Sequence, residues 1–230
     1  RTGLIVIRPM NPSHPFETFS ELESIPWLKH VFTLRQPGVD IGEDRAKTLQ
    51  LLRKNHDRIL SDRGIPFRKM AAAQQIHANR VAWVCRKPRL PKPEADGLAT
   101  SVPGLPIGVY VADCCAVFLA DPRKRAIALL HSGLRGTEQN IAREGIRTLA
   151  LENASDPSDL VAVLSPCIRG CCYRAEIGDA IAAQLQAEGV HNIVRHDRCT
   201  ACNKKDYYSY NKEKGRTGRM LAALMIAEEN

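Results

Sequence analysis

The chain has 230 residues, 44% of them hydrophobic, a formal net charge of +8 and eight cysteines. That composition excludes a disordered or low-complexity chain, and no apolar run approaches the ~18–20 residues needed to span a bilayer. A disulfide-stapled secreted protein would be shorter and poorer in apolar strands, so the cysteines read as thiols of a reducing cytoplasm, and the basic balance favours an anionic ligand.

In chain order, residues 3–8 (GLIVIR) and 28–35 (LKHVFTLR) predict strands. Residues 43–61 predict a helix, with Leu49, Leu52, Ile59 and Leu60 near one stripe and Gly64 and Pro66 beyond its end. His56 falls on that stripe, as a core histidine or one pointing into a pocket. Strands follow at 70–76 and 81–85 around a turn at His77, then apolar β-rich runs at 107–113, 116–120 and 126–131. A helix is expected from Thr137 to Ala150, a strand at 159–164, a helix at 176–187 ending at Gly189, a short strand at 192–194 and a last helix at 216–228. Strands are grouped rather than alternating strictly with helices, which favours an α+β fold over a doubly wound sheet. With no repeat and no long linker, residues 1–230 are expected to form a single domain of mixed sheets packed together with flanking helices.

Three stretches end apolar runs in metal-competent side chains: QQIHANRV, VADCCAVF and LLHSGLRG. His77, Cys114 and His131 lie far apart in the chain, with no zinc-finger spacing, and must converge in space to act together. Two imidazoles and a thiolate make three protein ligands and leave a fourth position open. A cysteine nucleophile at Cys114 with His131 as its base is the other use of the same residues. Arg135 and the Gly133–Gly136 backbone at a helix start suit phosphate, with Arg35 as a second candidate. Asp113 and Asp96 are candidates for orienting ligands or moving protons, although Asp96-Gly97 is also an ordinary turn dipeptide.

Cys167, Cys171 and Cys172 with Cys199-x-x-Cys202 form a possible structural zinc set, against the commoner role of small buried hydrophobes. Residues 195–219 interleave basic residues with Tyr207, Tyr208 and Tyr210. Such a mixture serves nucleic-acid grooves, a single nucleotide, or nothing beyond a solvated face.

QQIHANRV, EADGLAT, VADCCAVFLAD, HSGLRGT, PCIRGCCY and CTACNKKDYYSYNKEKGRTGR occur in the order and spacing of the YfiH-like family, also called the polyphenol-oxidase or laccase-domain family. The chain resembles that family from about His30 to its C-terminus. The resemblance implies a YfiH-like fold and a cytoplasmic zinc-dependent purine nucleoside phosphorylase acting on adenosine, inosine, guanosine or methylthioadenosine. It also implies adenosine deamination, with His77, Cys114 and His131 as metal ligands. Copper-dependent phenol oxidation and editing of peptidoglycan precursors are the alternatives within the family. The partners expected are therefore a purine nucleoside and phosphate, with no membrane and no nucleic acid. Tyr207 and Tyr208 are candidates to stack on the base, and Arg35, His56, Gly133 and Gly136 to complete the substrate site. The chain departs from the family pattern at Ala78, Ala116, Ser132, Leu134, Asn55-His56, Tyr207-Tyr208 and Asn211. The metal ligands survive these changes, while the purine and phosphate contacts are the ones they touch. The zinc nucleobase-deaminase signature is absent: no glutamate follows His77, and Pro166-Cys167 is followed too late by Cys171.

Overall fold

The computed structural model describes residues 15–39, 41–88, 91–92 and 94–228. The strand expected at 3–8 lies outside them. Two mixed sheets face each other. One has five strands in the order β1 (Phe16–Glu17), β2 (Leu28–Thr33), β11 (Met220–Ile226), β6 (Ile107–Val111), β3 (Ala71–Ala72). The other has six, in the order β10 (Asn192–Arg195), β9 (Val161–Leu164), β7 (Cys115–Asp121), β8 (Ala126–Ser132), β5 (Gly97–Thr100), β4 (Val81–Trp83).

The continuous apolar runs are explained by burial on both faces. In β7, Ala116, Phe118 and Ala120 enter the core between the sheets, whereas Cys115, Val117 and Leu119 pack outward. There they meet helices α4 (Ile141–Asn153) and α5 (Ile177–Ala187) through Ile141, Leu149, Ile181 and Leu185. The long helix α2 (Arg45–Asp62) covers the five-stranded sheet with Ile59 and Leu60. Its N-terminus is capped by Asp44, whose carboxylate accepts the N–H groups of Ala46 and Lys47.

The expected helix at 137–150 is two helices, α3 (Leu134–Glu138) and α4. Asn140, in the left-handed region at φ 56°, turns the chain between them and caps α4 by accepting the N–H of Arg143. The strand expected at 70–76 shortens to Ala71–Ala72, and a helix at Ser20–Glu23 (α1) and strand β5 add to the expected set.

The helix expected at 216–228 is instead β11, hydrogen-bonded to β2 on one side and β6 on the other. Its sequence, MLAALMI, favours helix locally. Met220, Ala222, Leu224 and Ile226 face the inter-sheet core, and Leu221, Ala223 and Met225 face α2. Burying a large side chain contributes about 1.5–3 kcal/mol, against a helix preference of at most ~0.7 kcal/mol per ordinary residue. A strand between two apolar layers buries every side chain of this run, so packing wins. No helix of the described residues is long and apolar enough to cross a membrane.

Candidate metal centre

His77, Cys114 and His131 arrive from three segments. His131 is near the end of β8; Cys114 immediately precedes β7; His77 sits in the turn between β3 and β4. Their ligand atoms all lie within 4.8 Å of one another, with Cys114 Sγ 4.0 Å from His77 Nε2 and the two imidazoles nearly perpendicular at 4.8 Å between centroids.

Asp96, fully buried just before β5, organises this arrangement. Its Oδ2 accepts the backbone N–H groups of Ile76 (3.0 Å) and Ala78 (2.8 Å). Its Oδ1 accepts the N–H of His77 (2.9 Å) and pairs with His131 Nδ1 at 2.9 Å. Successive N–H groups wrapped round one carboxylate form an anion nest, and the bond to Nδ1 leaves Nε2 of His131 as its free donor atom, the arrangement of metal-ligating histidines. Burial pushes the Asp96 carboxyl up, but the His131 and backbone hydrogen bonds outweigh it and hold the group below the usual carboxylate range. Asp96 is no mere turn residue.

Burial likewise pushes the Cys114 thiol up, and the charge and hydrogen bonds of His131 and His77 more than reverse this, to about 6. Burial pulls His131 down, but Cys114 and Asp96 raise it to about 9. Without a metal, each partner favours the charged form of the other, a thiolate beside an imidazolium. Gln75 (φ 61°), His77 (φ 62°) and Asp113 (φ 80°) all hold left-handed backbone around the centre, a conformation that costs of order 1–3 kcal/mol at a non-glycine residue and clusters at functional sites.

The centre opens on a cavity of about 600 Å³, within the range of small-molecule sites. Arg45, Arg135, Arg174 and Arg219 line it, with Asp113 as the sole carboxylate among the described lining residues and Tyr110, Tyr173 and Tyr210 as its aromatic rings. Arg135 makes no ion pair among the described residues and is exposed to the cavity mouth. Arg219 donates to the carbonyls of Thr217 and Gly218 and lies 5.6 Å from the Tyr210 ring. Asp113 accepts from Thr200 Oγ1 at 2.7 Å and from the N–H of Asn211 at 2.7 Å, so its carboxylate fastens the 199–211 loop to the cavity.

Several expected substrate contacts lie elsewhere. Tyr207 and Tyr208 are fully buried. The Tyr207 hydroxyl donates to Glu17 at 2.6 Å, and that of Tyr208 accepts the N–H of Gln36 at 3.0 Å. They pack in the inter-sheet core, where stacking on a base is impossible, and Tyr210, 56% exposed, faces the cavity in their place. Arg35 is away from the cavity lining, paired with Glu213 at 2.6 Å and stacked on Tyr208. His56 is a core histidine whose ring nitrogens have no hydrogen-bond partner of ordinary geometry among the described residues. Burial holds it neutral, pulling it down to about 4 against the smaller opposing effect of the Arg219 backbone, and it neighbours the site through Tyr110 and Arg219.

Gly133 and Gly136 act by being small. A Cβ on Gly133 would stand 2.7 Å from Cys114 Sγ and 3.3 Å from the His77 ring, and one on Gly136 3.2 Å from the Ala78 carbonyl. Gly133→Ala is therefore expected to fold but to bind metal markedly less tightly, as measured by competition with a chelator. Unaltered affinity would show that the thiolate has room to move.

Sequence patterns missed Arg45, Arg174, Tyr110 and Tyr173, and offered Arg219 only as part of the basic 195–219 stretch. Arg45 opens α2, Tyr110 lies in β6 and Tyr173-Arg174 lie in the loop before α5, and only the tertiary fold brings them to one opening. The Arg195, Arg198 and Arg216 side chains of the basic stretch pair with Asp179, Asp197, Glu17, Asp206 and Glu43.

A model of the multi-copper polyphenol oxidoreductase laccase family matches residues 29–177 and 173–227. The chain belongs to this family. Among proteins similar in sequence to this laccase-domain chain, purine nucleoside phosphorylase YlmD of Geobacillus stearothermophilus is 25% identical over 241 residues, covering 87% of this chain and 86% of the relative. Mouse purine nucleoside phosphorylase LACC1 is 28% identical over 275 residues, covering 94% of this chain and 63% of the mouse protein. The crystal structure of YlmD from Geobacillus stearothermophilus superposes with a TM-score of 0.86 at 21% identity, covering 95% of this chain and 98% of that one. Bacillus licheniformis YfiH superposes with 0.85 at 22% identity over 96% and 100%. These likenesses bear out the α+β fold with two packed mixed sheets.

Proposed function

We propose that the chain is one catalytic domain acting as a zinc-dependent purine nucleoside phosphorylase, with adenosine deamination as a second activity of the same site. The observation that carries this is the cavity itself, where a His/Cys/His centre and four arginines meet. The names of the similar proteins support it.

Phosphorolysis brings a phosphate oxygen to the ribose C1′ while the bond to the purine nitrogen breaks. The purine leaves with the bonding electrons and takes up a proton. The residues fit those demands. Arg135 and Arg174, both in the lining, supply charge for phosphate; Tyr110, Tyr173 and Tyr210 offer rings to a flat base. Asp113 positions the loop carrying Asn211, and Asp96 keeps the Nδ1 proton of His131 in place. His77, Cys114 and His131 would hold zinc: two nitrogens and a thiolate with an open fourth position are its catalytic donor set, and the ion would supply Lewis-acid charge to the cavity floor. Copper oxidation by several metals finds less support. His77 and His131 are the only histidines lining the cavity among the described residues, and His30 and His56 are buried in the fold.

The test is release of free base from adenosine, inosine and methylthioadenosine by zinc-loaded protein, with and without phosphate, beside His131→Ala. Base and ribose 1-phosphate should form only with phosphate, and the variant should lose roughly a hundredfold or more, the scale of a lost electrostatic contact to the reacting centre. Ammonia release from adenosine reads the second activity. If no nucleoside is cleaved in phosphate, the proposal fails.

A further inference from the structure

A second cluster of metal-competent side chains stands apart from the His/Cys/His centre. Cys171, Cys172, Cys199 and Cys202 bring four sulfurs within 4.8 Å of one another. They come from two loops, one following β9 and the other following β10. A parallel bridge between Cys167 and Cys199, with the Thr200 N–H donating to the Cys167 carbonyl at 3.1 Å, lays these loops side by side. A tight turn, closed by the N–H groups of Cys172 and Tyr173 on the Arg169 carbonyl (both 2.8 Å), then presents both adjacent cysteines to the second loop.

The sulfur–sulfur distances suit a shared ion. Cys202 Sγ lies 3.6 Å from Cys171 Sγ and 3.4 Å from Cys172 Sγ. A disulfide needs about 2.05 Å, and Cys202 can bond only one of two near-equidistant neighbours. Thiolates about 2.3 Å from a tetrahedral zinc stand roughly 3.8 Å apart, close to what is found. Cys167, which the sequence pattern also offered to this set, is buried in the outer core beneath α5 and takes no part.

We propose that Cys171, Cys172, Cys199 and Cys202 form a structural tetrathiolate site for zinc. All four positions are protein ligands, leaving none open for substrate. Sulfur-only donors favour a thiophilic ion over magnesium or calcium. The site staples the loop bearing Tyr173 and Arg174 to the loop in which Thr200 grips Asp113, so it sets the wall of the arginine-lined cavity.

The experiment is a cobalt(II) titration of the reduced, metal-free full chain, with zinc content measured in parallel. It includes His77→Ala/His131→Ala, which retains only the cysteine cluster, and Cys171→Ser/Cys202→Ser, which retains only the other centre. The first variant should keep one equivalent of metal and show the intense sulfur-to-cobalt charge transfer and split visible bands of a tetrahedral thiolate site. The second should keep only the weaker charge-transfer band of a centre with one thiolate. Wild-type protein should bind one equivalent more than either. If the histidine variant, folded by circular dichroism, takes up no cobalt or zinc, the proposal is overturned. It is equally overturned if peptide mapping of protein purified without oxidant finds Cys202 disulfide-linked to Cys171 or Cys172. Both readings stand even if the serine variant does not fold, and neither depends on nucleoside cleavage.

Discussion

Asp96→Asn is expected to lower metal affinity by roughly ten- to a hundredfold, the scale of lost partners behind metal ligands. The carboxylate accepts from three backbone N–H groups and from His131 Nδ1. Asparagine keeps one acceptor oxygen and puts an amide N–H₂ where the other stood. Whichever way it turns, two of these donors face another donor. Each buried donor left unpaired costs about 1–3 kcal/mol, so the turn bearing His77 loosens and the His131 ring loses the bond that fixes its proton. Chelator competition reads the affinity, and thermal melts of the metal-free protein read the destabilisation. A folded variant with wild-type affinity would show that the nest round Asp96 does not orient the ligands.

In the metal-free protein, Cys114 is expected to react with iodoacetamide at pH values where ordinary thiols are silent. Its thiol, depressed to about 6 by His131 and His77 against the opposing effect of burial, is thiolate above that value. Reactivity is therefore retained down to about pH 6 and lost as the pH falls through it. An ordinary thiol, ionising near ~8.5, is thiolate in only about one molecule in 300 at pH 6. The lower pKa also weakens the nucleophile, with a Brønsted coefficient of ~0.4–0.5, so the net advantage at pH 6 is roughly tenfold. Peptide mapping separates Cys114 from the exposed Cys85, Cys171 and Cys202. Zinc loading should abolish the reaction at Cys114, because a ligating thiolate is not free to attack. A midpoint near that of an ordinary thiol would remove the thiolate–imidazolium pair. Equal reactivity with and without zinc would place the metal away from Cys114 and favour the nucleophile.

His77, Cys114, His131 and Asp96 were legible in the sequence because each stands beside an apolar strand or turn whose boundaries are written locally. The two-faced strands were legible for the same reason: runs such as AVFLA and AIALL have no polar side, which marks a strand buried between layers. The run MLAALMI is just as apolar, but its Met, Leu and Ala residues favour helix locally. Helix and strand bury it equally well in isolation, and only its place between β2 and β6 decides for strand. Tyr207 and Tyr208 stand as an adjacent pair among polar neighbours, yet the loop packs them in the inter-sheet core and leaves Tyr210 to the cavity. The lining arginines and the partner set of Cys202 depend on contacts between segments far apart in the chain. A local pattern records how much of a residue is to be buried. Which other segment buries it, and which charges then meet across a cavity, follows from sheet order and loop packing, where side chains distant in sequence compete for the same space.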